Sequence, residues 1–295
     1  MMILPAGLLR GSVGVRVAST ALALAVLYLP GRAFAQPVAP PDPHAAQPER
    51  PSVATHARTV APGWVELEAG FQRQREGVVS DRIAVPVVLK IGLGSHVQLD
   101  IAPAWNRNAE NARLEAGLTD MIVGVKWRMA DAAPLLGVFA IQTTVSLPTG
   151  NSEAGLGTGS AGLNLLAISS HQFGPVSVDA NVGYTRLGGD GSVAPQNNTL
   201  WTVSSGFAIS GRLTWGVEVF GYPGTSGPSG SPPVVGFLTG PAFTVRPSVV
   251  LDAGAIFDIE GFGGTSVYGG LTWNIGRIWR SSPRPSRHVL PPTPM

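Results

Sequence analysis

The chain has 295 residues, 38 of them Gly, with no Cys and only 13% charged residues. The absence of cysteine excludes a disulfide framework and any thiolate metal site. Its 20 basic residues stand against 18 acidic ones, and Arg10, Arg16 and Arg32 all fall in an apparent export signal. Without them the balance is net −1, which argues against a nucleic-acid surface.

Residues 1–35 have the layout of a secretory signal peptide. Arg10 and Arg16 give the positive region, Val17 to Leu29 the apolar run, and Ala33-Phe34-Ala35 a small-x-small cleavage site. Beyond it no apolar stretch approaches the roughly 20 residues of a spanning helix, so a membrane could be crossed only by a barrel. Residues 36–62 are dense in Pro and Ala and have no periodicity, which predicts an extended, disordered periplasmic leader.

From Trp64 the sequence predicts twelve strands, at about 64–72, 82–91, 96–106, 118–129, 135–147, 158–169, 176–187, 199–209, 212–222, 233–245, 248–258 and 265–276. Most exceed the roughly 5–6 residues usual in soluble proteins and match the roughly 9–11 of a tilted membrane strand. The segment 117–150 shows the pattern well. Met121, Val123, Val125, Trp127 and Met129 alternate with Asp120, Ile122, Gly124, Lys126 and Arg128, and a short turn then leads into a second alternating run. Connections alternate as well. Those at 73–81, 107–117, 148–157, 188–198 and 223–232 are long and polar, and those between them are tight. Long external loops with short periplasmic turns are the habit of outer-membrane barrels. The fold expected is therefore an all-β, transmembrane, antiparallel up-and-down β-barrel of about 12 strands over 63–276. A basic, Pro-rich, disordered tail is expected over 277–295.

In that arrangement Phe71, Trp105, Tyr184, Trp201 and Phe257 form an external aromatic girdle. Trp127, Phe207, Trp215, Phe243 and Trp273 form a periplasmic one. The inward positions collect most of the strand charge: Glu66, Glu68, Arg82, Lys90, Asp100, Lys126, Arg128, Asp179, Arg212, Glu218, Asp252 and Asp258. Along the first four strands the sign alternates, so cross-strand ion pairing is expected. These twelve side chains are the candidate lumen lining, either as a stiffening ion network or as a selectivity lining. Leu251→Arg, on the lipid side near mid-membrane, is expected to be costly, and lumenal Asn181→Arg to be tolerated.

No catalytic arrangement emerges. His96 and His171 sit near turns, and His44, His56 and His288 in the presumed tails. There is no HExxH, phosphate-binding loop or calcium loop. Gly155-Leu156-Gly157-Thr158-Gly159 lacks the βαβ setting of a nucleotide site. Asp120 is expected to serve a strand start rather than a solute. No catalytic residue, metal ligand or cofactor is expected.

Three stretches resemble a known family: Gly117-Leu118-Thr119-Asp120, Gly124-Val125-Lys126-Trp127 and Leu147-Pro148-Thr149-Gly150. The run from Val85-Pro86 through Gly92-Leu93-Gly94 to Ala102 is similar as well. They look like the outer-membrane proteins labelled "putative MetA-pathway of phenol degradation". The resemblance implies a signal-bearing outer-membrane barrel that admits hydrophobic or aromatic compounds, and it carries no catalytic residues. Residues 268–275 resemble the terminal strand read by barrel-insertion machinery. The partners expected are outer-membrane lipid, that machinery and small solutes, with no nucleic acid. The function expected is a passive outer-membrane transporter or channel, not an enzyme. The alternative is a sealed structural or interaction barrel.

Overall fold

The structure, a computed structural model, describes residues 42–50, 52–76, 80–110, 113–261 and 264–279. Its strands are β1 (Trp64–Glu76), β2 (Ser80–Gly92), β3 (Val97–Ala102), β4 (Ala104–Glu110), β5 (Arg113–Leu118), β6 (Met121–Ala133) and β7 (Gly137–Leu147). They continue with β8 (Gly162–Phe173), β9 (Val176–Leu187), β10 (Asn197–Ala208), β11 (Leu213–Tyr222), β12 (Val234–Arg246), β13 (Val249–Glu260) and β14 (Thr265–Arg277). All pairings are antiparallel, and β1 closes the sheet by bonding both β2 and β14.

The fourteen segments make twelve staves. β3 and β4 are one stave broken at Pro103, which has no N–H for the ladder. Its lower half pairs with Leu89–Gly92 and its upper half with Ser80–Pro86, both on β2. β5 and β6 are the next stave, broken at Thr119-Asp120, where Thr119 donates to the Ala104 carbonyl at 2.9 Å. The upper half, β5, bonds to β4, and β6 bonds to β3 and β7.

The wall is inside-out relative to a soluble fold. All ten girdle aromatics are exposed on its outer face. The buried polar side chains Glu66, Lys90, Gln98, Lys126, Asn181, Thr202, Glu218, Thr272 and Asn274 face inward. On a closed barrel of the outer-membrane type, an exposed outer face of Val, Leu and Trp takes lipid as its apolar surroundings.

Two expectations need correcting here. The connections placed at 73–81 and 107–117 are mostly strand: β1 runs to Glu76, β2 starts at Ser80, and β4 and β5 form a hairpin. These strands rise above the aromatic belt, where the outer face meets lipid headgroups and water instead of acyl chains, so apolar alternation ends while hydrogen bonding continues. The second correction concerns depth. Leu251 pairs in register with Phe243 of the periplasmic girdle, so it lies near that interface rather than at mid-membrane. Val203, exposed on β10 between Trp201 and Phe207, lies nearer the middle. Val203→Arg should therefore cost about 2–4 kcal/mol and Leu251→Arg about 0–1. Urea unfolding in vesicles measures both, and equal costs would contradict the depth assignment.

Candidate functional site: an occluded lumen

The expectation for the leader is also overturned, because residues 42–50 and 52–62 occupy the lower bore. The segment starts at the periplasmic mouth, where Asn274 Nδ2 donates to the Pro43 and Ala45 carbonyls at 3.0 and 3.3 Å. There Ala46 N–H bonds Pro247 O, and the His44 ring meets the edge of Trp64. Asp42 accepts from the backbone and ring of His44, which hold its carboxyl below the usual range. The chain then climbs, with Gln47 N–H donating to Glu66 and Glu49 N–H to Glu68, each at 2.7 Å.

At its highest point the leader crosses to the opposite wall. Glu218 accepts from Val53 N–H at 3.0 Å, Ala54 N–H at 2.7 Å and the Ser52 and Thr202 hydroxyls. Asn181 pairs both ways with the Thr55 backbone, at 2.7 and 2.9 Å. Descending, Ala57 N–H bonds Ser170 Oγ and Val60 N–H bonds Gln98 Oε1, each at 2.8 Å. The segment rejoins the wall where Gly63 N–H donates to Gly92 O. Lacking any ladder of its own, the leader has its buried amides satisfied by lumenal side chains. Asn181→Arg is therefore not the tolerated change expected, since Asn181 is 2% exposed and engaged with Thr55. His56 is likewise not a solvated tail residue, because both its ring nitrogens are buried.

The charged candidates divide by depth. Lys90 Nζ lies 2.5 Å from Glu66, 2.8 Å from Glu68 and 3.9 Å from Glu49, and donates to Gln47 O at 2.6 Å. Lys126 pairs with Glu49 of the leader, not with Asp100. Asp100 instead accepts from Gln98 at 2.8 Å and Gln142 at 2.6 Å. The alternating cross-strand ladder is thus realised at Lys90 and diverted to the leader at Lys126. Buried Asp252 faces Arg50, whose guanidinium lies against Gly70 and Gly270, registered partners on β1 and β14. A methyl at Gly270 would come within 2.8 Å of Arg50 Nε, so glycine makes the slot.

Asp179 is bonded to Ser170 at 2.5 Å. Arg128 is tied to Ser95 O and Asp131 beside a lower turn. Arg82 lines the upper wall with Gln72, Gln74, Asn106 and Asn108. Arg212 and Asp258 are exposed at the two rims.

An apolar patch interrupts this polar interior. Phe220, Leu238, Ile256 and Tyr268 cluster on the inner faces of β11 to β14, with Leu200, Tyr222 and Val234 packed around them and Val53 seated on them. The Tyr268 hydroxyl bonds Thr239 O at 3.2 Å.

Two motifs prove structural. Asp120 accepts from Gly150 N–H, Thr158 N–H and Thr158 Oγ1 at 3.0, 2.7 and 2.8 Å, which fastens the external loop after β7. Ser169 lies 3.2 Å from His171 on the outer face, a pairing not anticipated from the sequence. Its hydroxyl donates to Leu136 O at 2.8 Å, so the imidazole does not take that proton. Among the described residues no group of three potential metal ligands occurs.

The family described as "Putative MetA-pathway of phenol degradation" matches residues 49–268. The chain belongs to that family. Its fold is similar to a COG4313 outer membrane channel from Pseudomonas putida F1, with 10% identity, 74% of this chain and 97% of that one covered, and a TM-score of 0.60. More distant similarities include the NanC porin (9% identity, 72% and 100% covered, TM-score 0.46) and the CymD monoaromatic hydrocarbon channel (8%, 74% and 90%, 0.42). At such identities the first likeness shows the fold alone, a 12-stave barrel of the outer-membrane type. No curated protein matches the chain. The signal expected at 1–35 and the tail beyond Trp279 lie outside the described residues. The first tail residues continue the wall, with Ile278 N–H bonding Gly63 O at 2.8 Å.

Proposed function

We propose that this family member is a passive outer-membrane channel for small solutes with an aromatic or hydrophobic body, with the seated leader as its closed state. It is not an enzyme in this reading, and no residue is assigned to catalysis, metal or cofactor. The observation that carries the proposal is the inward apolar patch of Phe220, Leu238, Ile256 and Tyr268. Val53 of the leader covers this surface in the closed state, and withdrawal of the leader bares it to the bore. A solute with an apolar face can slide along it and recover part of the desolvation cost. The polar residues Lys90, Lys126, Asp179, Glu218 and Asp252 then line the rest of the path. The protein would reach the outer membrane through its export signal and the barrel-insertion machinery.

Proteoliposomes loaded with the barrel opened by deletion of residues 42–61 test this. Phenylalanine and glutamine are both zwitterions that cross bare bilayers slowly, and phenylalanine should enter about fivefold faster. Leu238→Asn should reduce that ratio toward one. A ratio of one in the opened barrel without that substitution would remove the patch as a selecting surface. The leader's occupancy favours the second reading, a barrel sealed by its own leader, which requires that neither solute enters the full mature protein.

A further inference from the structure

The outer wall carries a basic cluster that no transport role uses. Arg73 and Arg75 on β1, Asp81 on β2 and Arg107 on β4 share the outward face of three neighbouring staves. Arg73 is bidentate to Asp81, with Nε and Nη2 each 2.8 Å from a carboxylate oxygen. Arg75 and Arg107 reach the same carboxylate only at 4.0 Å. Three guanidinium groups therefore surround one carboxylate. Among the described residues Asp81 is the lone acid on this face of β1, β2 and β4.

The height of the cluster is set by register. Trp105 of the external girdle pairs with Val85, and one outward rung above it Ile83 pairs with both Arg73 and Arg107. Arg75 pairs with Asp81 a further rung up. Two residues of tilted strand rise about 5 Å. The guanidiniums thus stand about 5–10 Å above the aromatic belt, at the level of lipid headgroups rather than acyl chains. They sit on protruding strand instead of loop, so they are positioned by the sheet. Below them, exposed Phe71 and Trp105 offer an apolar wall for acyl chains.

We propose that this face binds the phosphate groups of lipid A, the phosphorylated glycolipid of the outer leaflet. Arg75 and Arg107 donate to the phosphate oxygens, and Asp81 holds Arg73 and gathers the cluster. A net +2 above an apolar wall complements a head that is anionic over acyl chains. The inference rests on placement in the outer membrane and is independent of what the bore passes.

Native mass spectrometry of the mature chain in micelles, titrated with bisphosphoryl lipid A, tests it. The double variant R75Q/R107Q leaves the Arg73–Asp81 fork intact, and it should bind roughly 30-fold more weakly, about fivefold per charge removed. R107Q alone should lose about fivefold, which keeps the test available if the double variant folds poorly. Arg186→Gln, on the outer face of β9, should change nothing. Dephosphorylated lipid A should bind the parent as weakly as bisphosphoryl lipid A binds the double variant. Undiminished binding by R75Q/R107Q or R107Q, or equal binding of dephosphorylated lipid A, overturns the proposal. Inorganic phosphate that binds the parent as tightly as lipid A does overturns it too, since the site would then take free phosphate rather than the lipid.

Discussion

Replacing Lys90 with Met is expected to lower barrel stability by about 3–5 kcal/mol, the range for removing one partner from a buried ion pair. Lys90 is fully buried, with Glu66 at 2.5 Å, Glu68 at 2.8 Å and the Gln47 carbonyl at 2.6 Å. Methionine matches its stem but supplies no donor. Two enclosed carboxylates and a carbonyl then lose their cation together. Urea unfolding in vesicles, followed by the heat-dependent gel shift of folded barrels, reads the loss. Adding Glu66→Gln and Glu68→Gln to Lys90→Met should restore much of it, because neutral amides carry no unpaired charge. A Lys90→Met protein as stable as the parent would mean that the carboxylates are already neutral or hydrated.

Deleting residues 42–61 should raise single-channel conductance at least about tenfold while leaving the barrel folded. The deletion removes the Glu49–Lys126 pair, the Glu218 contacts to Val53 and Ala54, and the Asn181 pairing with Thr55. Every lumenal group released faces a bore that water then fills, so its lost bond is replaced at small net cost. The wall keeps its twelve staves, and only the terminal closure near Gly63 is disturbed. Planar-bilayer recording distinguishes the outcomes. Unchanged conductance would place the restriction in the wall side chains, around Phe220 and Leu238, instead of in the leader.

The wall was legible in the sequence because lipid enforces period-two alternation. Trp127, Val125 and Val123 point out while Lys126 and Gly124 point in, and strand lengths and turn lengths agree with that assignment. The legible part stops where the enforcing solvent stops. Above the belt, Arg73, Arg75, Asp81 and Arg107 sit on strands that read as loop, because headgroups and water accept polar side chains on either face. The leader was illegible for another reason. A segment lined by polar side chains of the wall needs no pattern of its own, and Pro/Ala richness reads alike in a free chain and a seated one. The cue lay in Glu49-Arg50 and His56 standing among small residues, facing a bore rich in Lys90, Lys126 and Asp252. Neutral lumenal residues such as Gln98 and Ser170 were passed over because a search for charge does not find amides and hydroxyls, and Asn181, read as lumenal, gave no sign of its pairing with Thr55.

The leader enters beside Asn274 and returns beside Gly92, both at the same rim. Among the described residues nothing is threaded, so the cylinder can close and insert first and receive this segment afterwards from the periplasmic side. Assembly then has a natural order, with an empty tube preceding a stoppered one, and the stopper can be drawn out again without breaking a single rung between staves.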